Sequence, residues 1–382
     1  MKRNCTVIML LDSFKYDYLK ETSFLKELAK ENSSSKLETS FGFAQPQCVF
    51  TGKYPEETNK FTLFYFNPKT SPFKWVKYFY FGFEISSKNK FSNYITRRFV
   101  DVTSQKINNY WFVTSSRIPF NILHYFDIIL KKEFYRDDTL GTTSIFNLLR
   151  DNNMSFRVFG WPSIHNTKQA YERTILSLKN EKHDLYYIHL TDLDSITHKF
   201  GCNSLERKQE VQRLDKIIEE LLKEFQKKYK VNFVLFGDHG MIDVKYTINI
   251  QKELLSLDLR FGKDYIMFLD STMARFWFFN DKANEIKDLK IKGGHFLTKN
   301  ELINLNANFK DNRHGDLIFL ADPGYLILPN YFQGDLLIKS MHGYDPKHPS
   351  QYGVFISNGN EVEKLTDIYF LLCKLLKLDA YI

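Results

Sequence analysis

A chain of 382 residues with 43% hydrophobic content can bury a large core, which excludes a disordered or low-complexity protein and leaves one large α/β domain with an insertion, or two domains. The net charge of +8 favours anionic partners, yet Lys and Arg show no long basic block and no groove-reading or base-stacking motif, so no nucleic-acid partner is expected. Cys5, Cys48, Cys202 and Cys373 lack the paired spacing of a zinc ribbon or a disulfide framework and read as free thiols.

The first apolar run, Cys5 to Leu11, is too short for a secretory or membrane-spanning segment and stops at Asp12, so it reads as a buried strand from Thr6 to Leu11. No other segment approaches a membrane span, and a cytoplasmic protein is the expectation. Further strands are expected at Phe156 to Phe159, Leu185 to Leu190 and Phe233 to Phe236, then near Arg275 to Phe279, Leu317 to Leu320 and Tyr352 to Ile356. Between them, Leu205 to Lys227 repeats Val211, Leu214, Ile217, Ile218, Leu221, Leu222 and Phe225 near the 3.6-residue helical period, and Val362 to Leu378 reads as a closing amphipathic helix. This alternation is the pattern of a mostly parallel sheet between helical layers. From about Leu63 to Arg136 the rhythm breaks into a stretch dense in Phe, Tyr, Trp and Lys. Residues 1–62 and 137–382 are therefore expected to form an α/β core, with 63–136 as an inserted cap or an extra helical layer.

Chemistry-bearing residues gather where these strands end, which in an open parallel sheet is the carboxyl edge. Asp12 follows the first strand, Asp194 and His198 lie in LTDLDSITHKFG, Asp238 and His239 open DHGM, and His342 lies in SMHGYDP before the last strand. The four-residue spacing of Asp194 and His198 puts both on one side of a helical turn. Three carboxylates and three imidazoles suit two divalent ions, zinc or manganese, with positions left open for substrate and water. Taken singly, an Asp after a strand is commonly a helix cap and a His a surface or core residue; Asp192 and His348 are read that way, as a turn residue and an exposed histidine.

These segments resemble the alkaline phosphatase superfamily, and within it the phosphodiesterase/nucleotide pyrophosphatase branch. VIMLLDSFKYDYL is similar to the opening strand and its metal Asp, TGKYPEE to the segment after the nucleophile helix, LTDLDSITHKFG to the D-x-x-x-H-x-x-G motif, FGDHGM to the family consensus, and MHGYDP to the segment carrying the last histidine. The resemblance implies a three-layer α/β/α fold and a two-metal hydrolase of phosphate esters, with a phosphotransferase or mutase, or a non-catalytic metal-dependent phosphate-ester-binding protein, as alternatives. It implies that Asp12, Asp238 and His239 hold one metal and Asp194, His198 and His342 the other. The partner would be an anionic phosphate-ester small molecule or a glycan- or lipid-linked phosphate; the sequence is silent on oligomeric state.

The sequence departs from the family where the Thr or Ser nucleophile is expected. Counting back from Thr51 and Gly52 lands on Gly42, and aligning on Pro46 lands on Ala44. Thr39 and Ser40 are the nearest hydroxyls and Cys48, expected in the core, the nearest thiol. Three readings stay open: Ser40 takes over, a metal-activated water attacks directly, or the protein binds phosphate esters without rapid turnover.

Overall fold

The computed structural model describes residues 2–43, 45–86, 89–129, 131–136 and 139–379. Ala44 lies outside them. Among the described residues the central sheet has six strands, in the order Ser33–Leu37, Gly353–Ser357, Tyr229–Phe236, Arg3–Leu11, Leu185–Leu190, Phe156–Phe159. The last four run parallel, whereas Gly353–Ser357 is antiparallel to both its neighbours. Within Arg3–Leu11 the two-residue side-chain period divides the core. Val7, Met9 and Leu11 face a layer that includes the Thr167–Asn180 and Leu205–Lys228 helices; Ile8 and Leu10 face the Gln45–Thr51, Ile145–Asp151 and Asp367–Leu376 helices. Both faces are covered, as a parallel sheet requires, and the result is the expected α/β/α sandwich.

The helices are tied to one another by polar groups as well as by apolar burial. The Asp215 carboxylate, on Leu205–Lys228, accepts the backbone N–H groups of Ser23, Phe24 and Leu25 at 2.9, 3.0 and 2.7 Å. It thereby satisfies three donors that the start of the Phe24–Glu31 helix would otherwise leave open. Asp192, read as a bare turn residue, does more: it accepts the Thr167 N–H at 2.9 Å and pairs with Arg213 at 2.6 Å, linking three helices. His348, expected on the surface, is half-buried and caps the Pro349–Gln351 turn through its Nδ1.

Two expected strands lie elsewhere. Met273–Phe278 and Leu317–Ala321 belong, among the described residues, to a separate four-stranded antiparallel sheet in the order Tyr265–Leu269, Met273–Phe278, Leu317–Ala321, Gly294–Phe296. The physical reason is connection length. Only Asp270, Ser271 and Thr272 join the first pair, enough for a hairpin, while a parallel crossover needs a dozen residues or more. The aromatic-rich stretch opens and closes with the antiparallel pair Phe64–Phe66 and Phe126–Ile128 and carries the Tyr80–Ser86 and Lys90–Asn108 helices. Phe64, Phe73, Val76, Phe120 and Phe126 share one buried cluster with Ile266, Phe268 and Trp277 of the antiparallel sheet. Arg275 fastens the two parts: fully buried, it pairs with Asp270 at 2.8 Å and donates to the Phe64 carbonyl oxygen at 3.0 Å.

Candidate metal centre

The carboxyl edge of the parallel strands brings together all six residues singled out in the sequence. Asp12 is the first residue past Leu11, and Ser13 after it is left-handed, with φ of 66°. That unusual turn for a non-glycine residue is held by the approach of the neighbouring loop, because the Ser13 N–H faces Asp238 Oδ1 at 3.4 Å. Gly237 makes the approach possible: a Cβ there would sit 2.1 Å from the Phe14 carbonyl oxygen. Any side chain would push the Asp12 and Asp238 loops apart.

Asp194 and His198 lie on the Asp192–Phe200 helix, one turn apart, with His198 Nε2 3.4 Å from Asp194 Oδ1. The end of this helix is sutured to the short Ser340–Met341 strand: the Lys339 N–H donates to the His198 carbonyl oxygen and Ser340 Oγ to that of Thr197. His342, the next residue, thereby reaches Asp194 Oδ1 with its Nε2 at 3.9 Å. Its ring stacks on His239 at 3.7 Å between centroids, and Phe43 meets its other contact surface edge-on at 5.6 Å. His239 Nε2 lies 3.4 Å from Asp12 Oδ1 and 3.8 Å from Asp238 Oδ1.

Two donor sets converge, each with its ligand atoms within 4.8 Å of one another: Asp194, His198 and His342 form one, and Asp12, Asp194 and His239 the other. Asp238 stands beside the second, and Asp194 is common to both. The hydrogen bonding matches cation binding. His198 Nδ1 donates to the Ser340 carbonyl oxygen at 2.7 Å and His239 Nδ1 to that of Gly240 at 3.0 Å, which turns both Nε2 atoms into the cluster. Asp194 Oδ1 and His342 Nδ1 are buried without a hydrogen-bond partner, a costly state that a coordinated ion at the cluster would relieve for the carboxylate.

The electrostatics point the same way. Burial works against the charge on Asp12, but hydrogen bonds with His189 and His239 hold its carboxyl well below the ordinary range. Burial pushes Asp238 up to about 6, with the charge of Asp12 adding to the rise and His239 opposing it. Burial also raises Asp194. His239 is carried up to about 10: burial disfavours its charge, but Asp238, Asp12 and Asp194 attract it. His342 is held far below its ordinary value by burial and by the repulsion of His239 and His198. Crowded carboxylates that recruit protons are the signature of a site short of positive charge.

Sequence reasoning missed two supporting residues. His189 Nε2 meets Asp12 Oδ2 at 2.8 Å and orients that carboxylate. Its signal was a lone imidazole near the end of an otherwise uncharged, apolar and aromatic strand. Gln351, almost fully buried, accepts the N–H groups of Gly343 and Tyr344 at 2.9 and 3.3 Å and so shapes the loop behind His342; nothing in its local sequence marks it.

Of the two expected nucleophile positions, Gly42 is closed to any side chain. Gly42 has φ of 101°, and a Cβ there would fall 2.5 Å from Phe61. Ser40 is buried, and its Oγ accepts the Cys48 thiol at 3.3 Å. Cys48, on the Gln45–Thr51 helix, packs in the core, as expected, with its thiol pushed up to about 11 by burial.

A family model described as type I phosphodiesterase / nucleotide pyrophosphatase matches residues 6–345. Among solved structures, murine ectonucleotide pyrophosphatase/phosphodiesterase 5, as an inactive threonine-to-alanine variant in complex with AMP, is similar with a TM-score of 0.71 and 17% identity, over 100% of this chain and 96% of that one. The human protein of the same name is similar to the same extent. At these identities the likeness speaks to the fold.

Proposed function

Since the chain belongs to the type I phosphodiesterase / nucleotide pyrophosphatase family, within the alkaline phosphatase superfamily, we propose that it hydrolyses phosphate esters with two divalent ions at the Asp/His cluster. The observation that carries this reading is the convergence of two donor sets on Asp194, whose Oδ1 is buried without a hydrogen bond. Asp194, His198 and His342 would hold one ion, and Asp12, Asp238 and His239 the other; mixed carboxylate and imidazole donors suit zinc or manganese. Bound there, the ions supply Lewis-acid charge for the phosphoryl oxygens and make an attacking water more acidic.

The protein's own residues set the geometry. The Ser340 and Gly240 carbonyl oxygens fix the rings of His198 and His239, and His189 fixes Asp12. Water is the nucleophile in this reading, because Gly42 has no space for a side chain and the Ser40 hydroxyl is engaged with Cys48. The cluster carries cationic capacity on an edge where Phe112, from the aromatic-rich stretch, packs on Trp161 with ring centroids 5.1 Å apart. Trp161 follows Gly160 at the end of Phe156–Phe159, so an aromatic surface stands at the same edge as the cluster. A nucleotide is the substrate class this favours, in keeping with the AMP bound by the murine relative. Residues 63–136 would then govern substrate choice while residues 1–62 and 137–382 supply the metal ligands. Cytoplasmic placement is part of the same reading, supported by four free cysteines, all buried.

The test is turnover of a chromogenic phosphodiester by protein loaded with zinc or manganese. Activity abolished by a chelator and by Asp12→Ala supports hydrolysis. A second reading, binding without turnover, is favoured by the same closed nucleophile position; metal-loaded protein that binds AMP yet leaves every phosphodiester intact would establish it instead.

A further inference from the structure

Helices that pack on a protein turn their apolar stripe inward. Lys90–Asn108 does the reverse. Its buried positions are Thr96, Val100 and Ser104, two of them polar, while Phe91, Tyr94, Ile95, Phe99 and Ile107 stand exposed. The adjoining Tyr80–Ser86 helix buries no residue; Phe81 and Ile85 on it, and Tyr78 and Phe79 just before it, are exposed. Trp75 joins the two helices into one surface, with ring centroids 6.2 Å from both Phe79 and Phe99 and 5.7 Å from Phe83. Phe83 also meets Phe79 and Phe99, with ring centroids 6.3 and 6.4 Å apart, so these rings form a continuous aromatic surface, on whose two helices Phe81, Phe91 and Tyr94 are 69%, 75% and 70% exposed.

The charge around the patch selects what covers it. Residues 74–108 hold seven Lys or Arg against Glu84 and Asp101, a surplus of five within a chain whose total is +8. Lys74, Lys77, Lys90, Arg98 and Lys106 are exposed with the aromatics. A groove of about 690 Å³ at the patch edge is lined by Lys90, Tyr94, Arg97, Arg117, Asp335 and Leu336, three cations against one carboxylate. Two copies meeting through this face would set like charge on like charge, because a two-fold contact uses the same surface twice.

We propose that this face docks the protein on an anionic phospholipid membrane. Phe and Tyr side chains enter the boundary between headgroups and acyl chains, the Lys and Arg side chains pair with lipid phosphates, and the basic groove receives a headgroup. The inference concerns attachment to a surface and is independent of whether the metal centre turns over its substrate.

Co-sedimentation of the full chain with vesicles tests it. Each basic residue near an anionic membrane contributes about 1 kcal/mol, or roughly fivefold. Retention by vesicles containing phosphatidylserine should therefore exceed that by pure phosphatidylcholine by at least about tenfold, and salt should weaken it. A Phe81→Ala, Phe91→Ala double variant should lose most of the retention, and a Lys74→Glu, Lys90→Glu variant should lose the preference for phosphatidylserine. All four side chains are solvent-exposed, so unchanged melting temperatures are expected and check that the fold persists. Absence of retention, or equal retention by neutral vesicles, overturns the proposal. So does a parent that ignores vesicles but self-associates, with the Phe81→Ala, Phe91→Ala variant monomeric: that result assigns the face to a second copy.

Discussion

The parallel sheet and the antiparallel sheet are both apolar inside, but they treat their buried carboxylates in opposite ways. Around the antiparallel sheet the fully buried charge is neutralised: Arg275 and Asp270 satisfy each other, and Arg275 also meets the Phe64 carbonyl oxygen. At the carboxyl edge of the parallel sheet, three carboxylates and three of the neighbouring imidazoles crowd together and leave Asp194 Oδ1 and His342 Nδ1 without a hydrogen bond. The first arrangement is complete without further charge, and its purpose is to hold the aromatic-rich stretch in place. The second is incomplete, and that incompleteness is what marks it as a site.

The sharpest way to break this contrast is to remove its shared residue. Asp194→Ala should leave a folded chain whose phosphodiester turnover falls by about a thousandfold or more, since metal charge stabilisation worth several kcal/mol goes with it; steady-state kinetics with circular dichroism as a fold check decides. On the other side, Asp270→Ala strands a buried guanidinium and should lower unfolding free energy by about 3–5 kcal/mol in denaturant titration. The metal content of the molecules that remain folded should be unchanged. If Asp270→Ala emptied the metal centre, the two halves would not be separable in this way.

A smaller effect is expected one shell out from the cluster. His189→Ala should weaken metal affinity by about 10–100-fold, the usual cost of losing a group that orients a ligand, with near-parental turnover once metal is in excess. The smallest concerns the missing nucleophile. Ser40→Ala should keep activity within about twofold, since its hydroxyl is engaged with Cys48. Gly42→Thr should not create a nucleophile and should destabilise the fold by about 1–3 kcal/mol through its clash with Phe61. A phosphoserine trapped at Ser40 would reverse this part of the account.

These contrasts also explain what could be read from the chain alone. Asp12, Asp238 and His239 were legible because they closely follow apolar runs that stop abruptly at a strand end, Asp194 and His198 because their four-residue spacing falls on the helix that follows Leu185–Leu190, and His342 because it stands in a short segment before the last strand. The partnering of Arg275 with Asp270 was not, since MARFWF reads as a strand whichever sheet it joins; only the three-residue link before it decides. His189 and Gln351 act through contacts with residues far away in sequence, and the reversed stripe of Lys90–Asn108 is visible only once burial is known. The lack of room for a side chain at Gly42 was hidden for the same reason, because Phe61 closes the space from a separate loop.

Elemental analysis of metal-replete protein tests the central claim most directly. The account predicts two divalent ions per chain in the parent and one in each of Asp238→Ala and His342→Ala; a parent that holds one ion or none would contradict it.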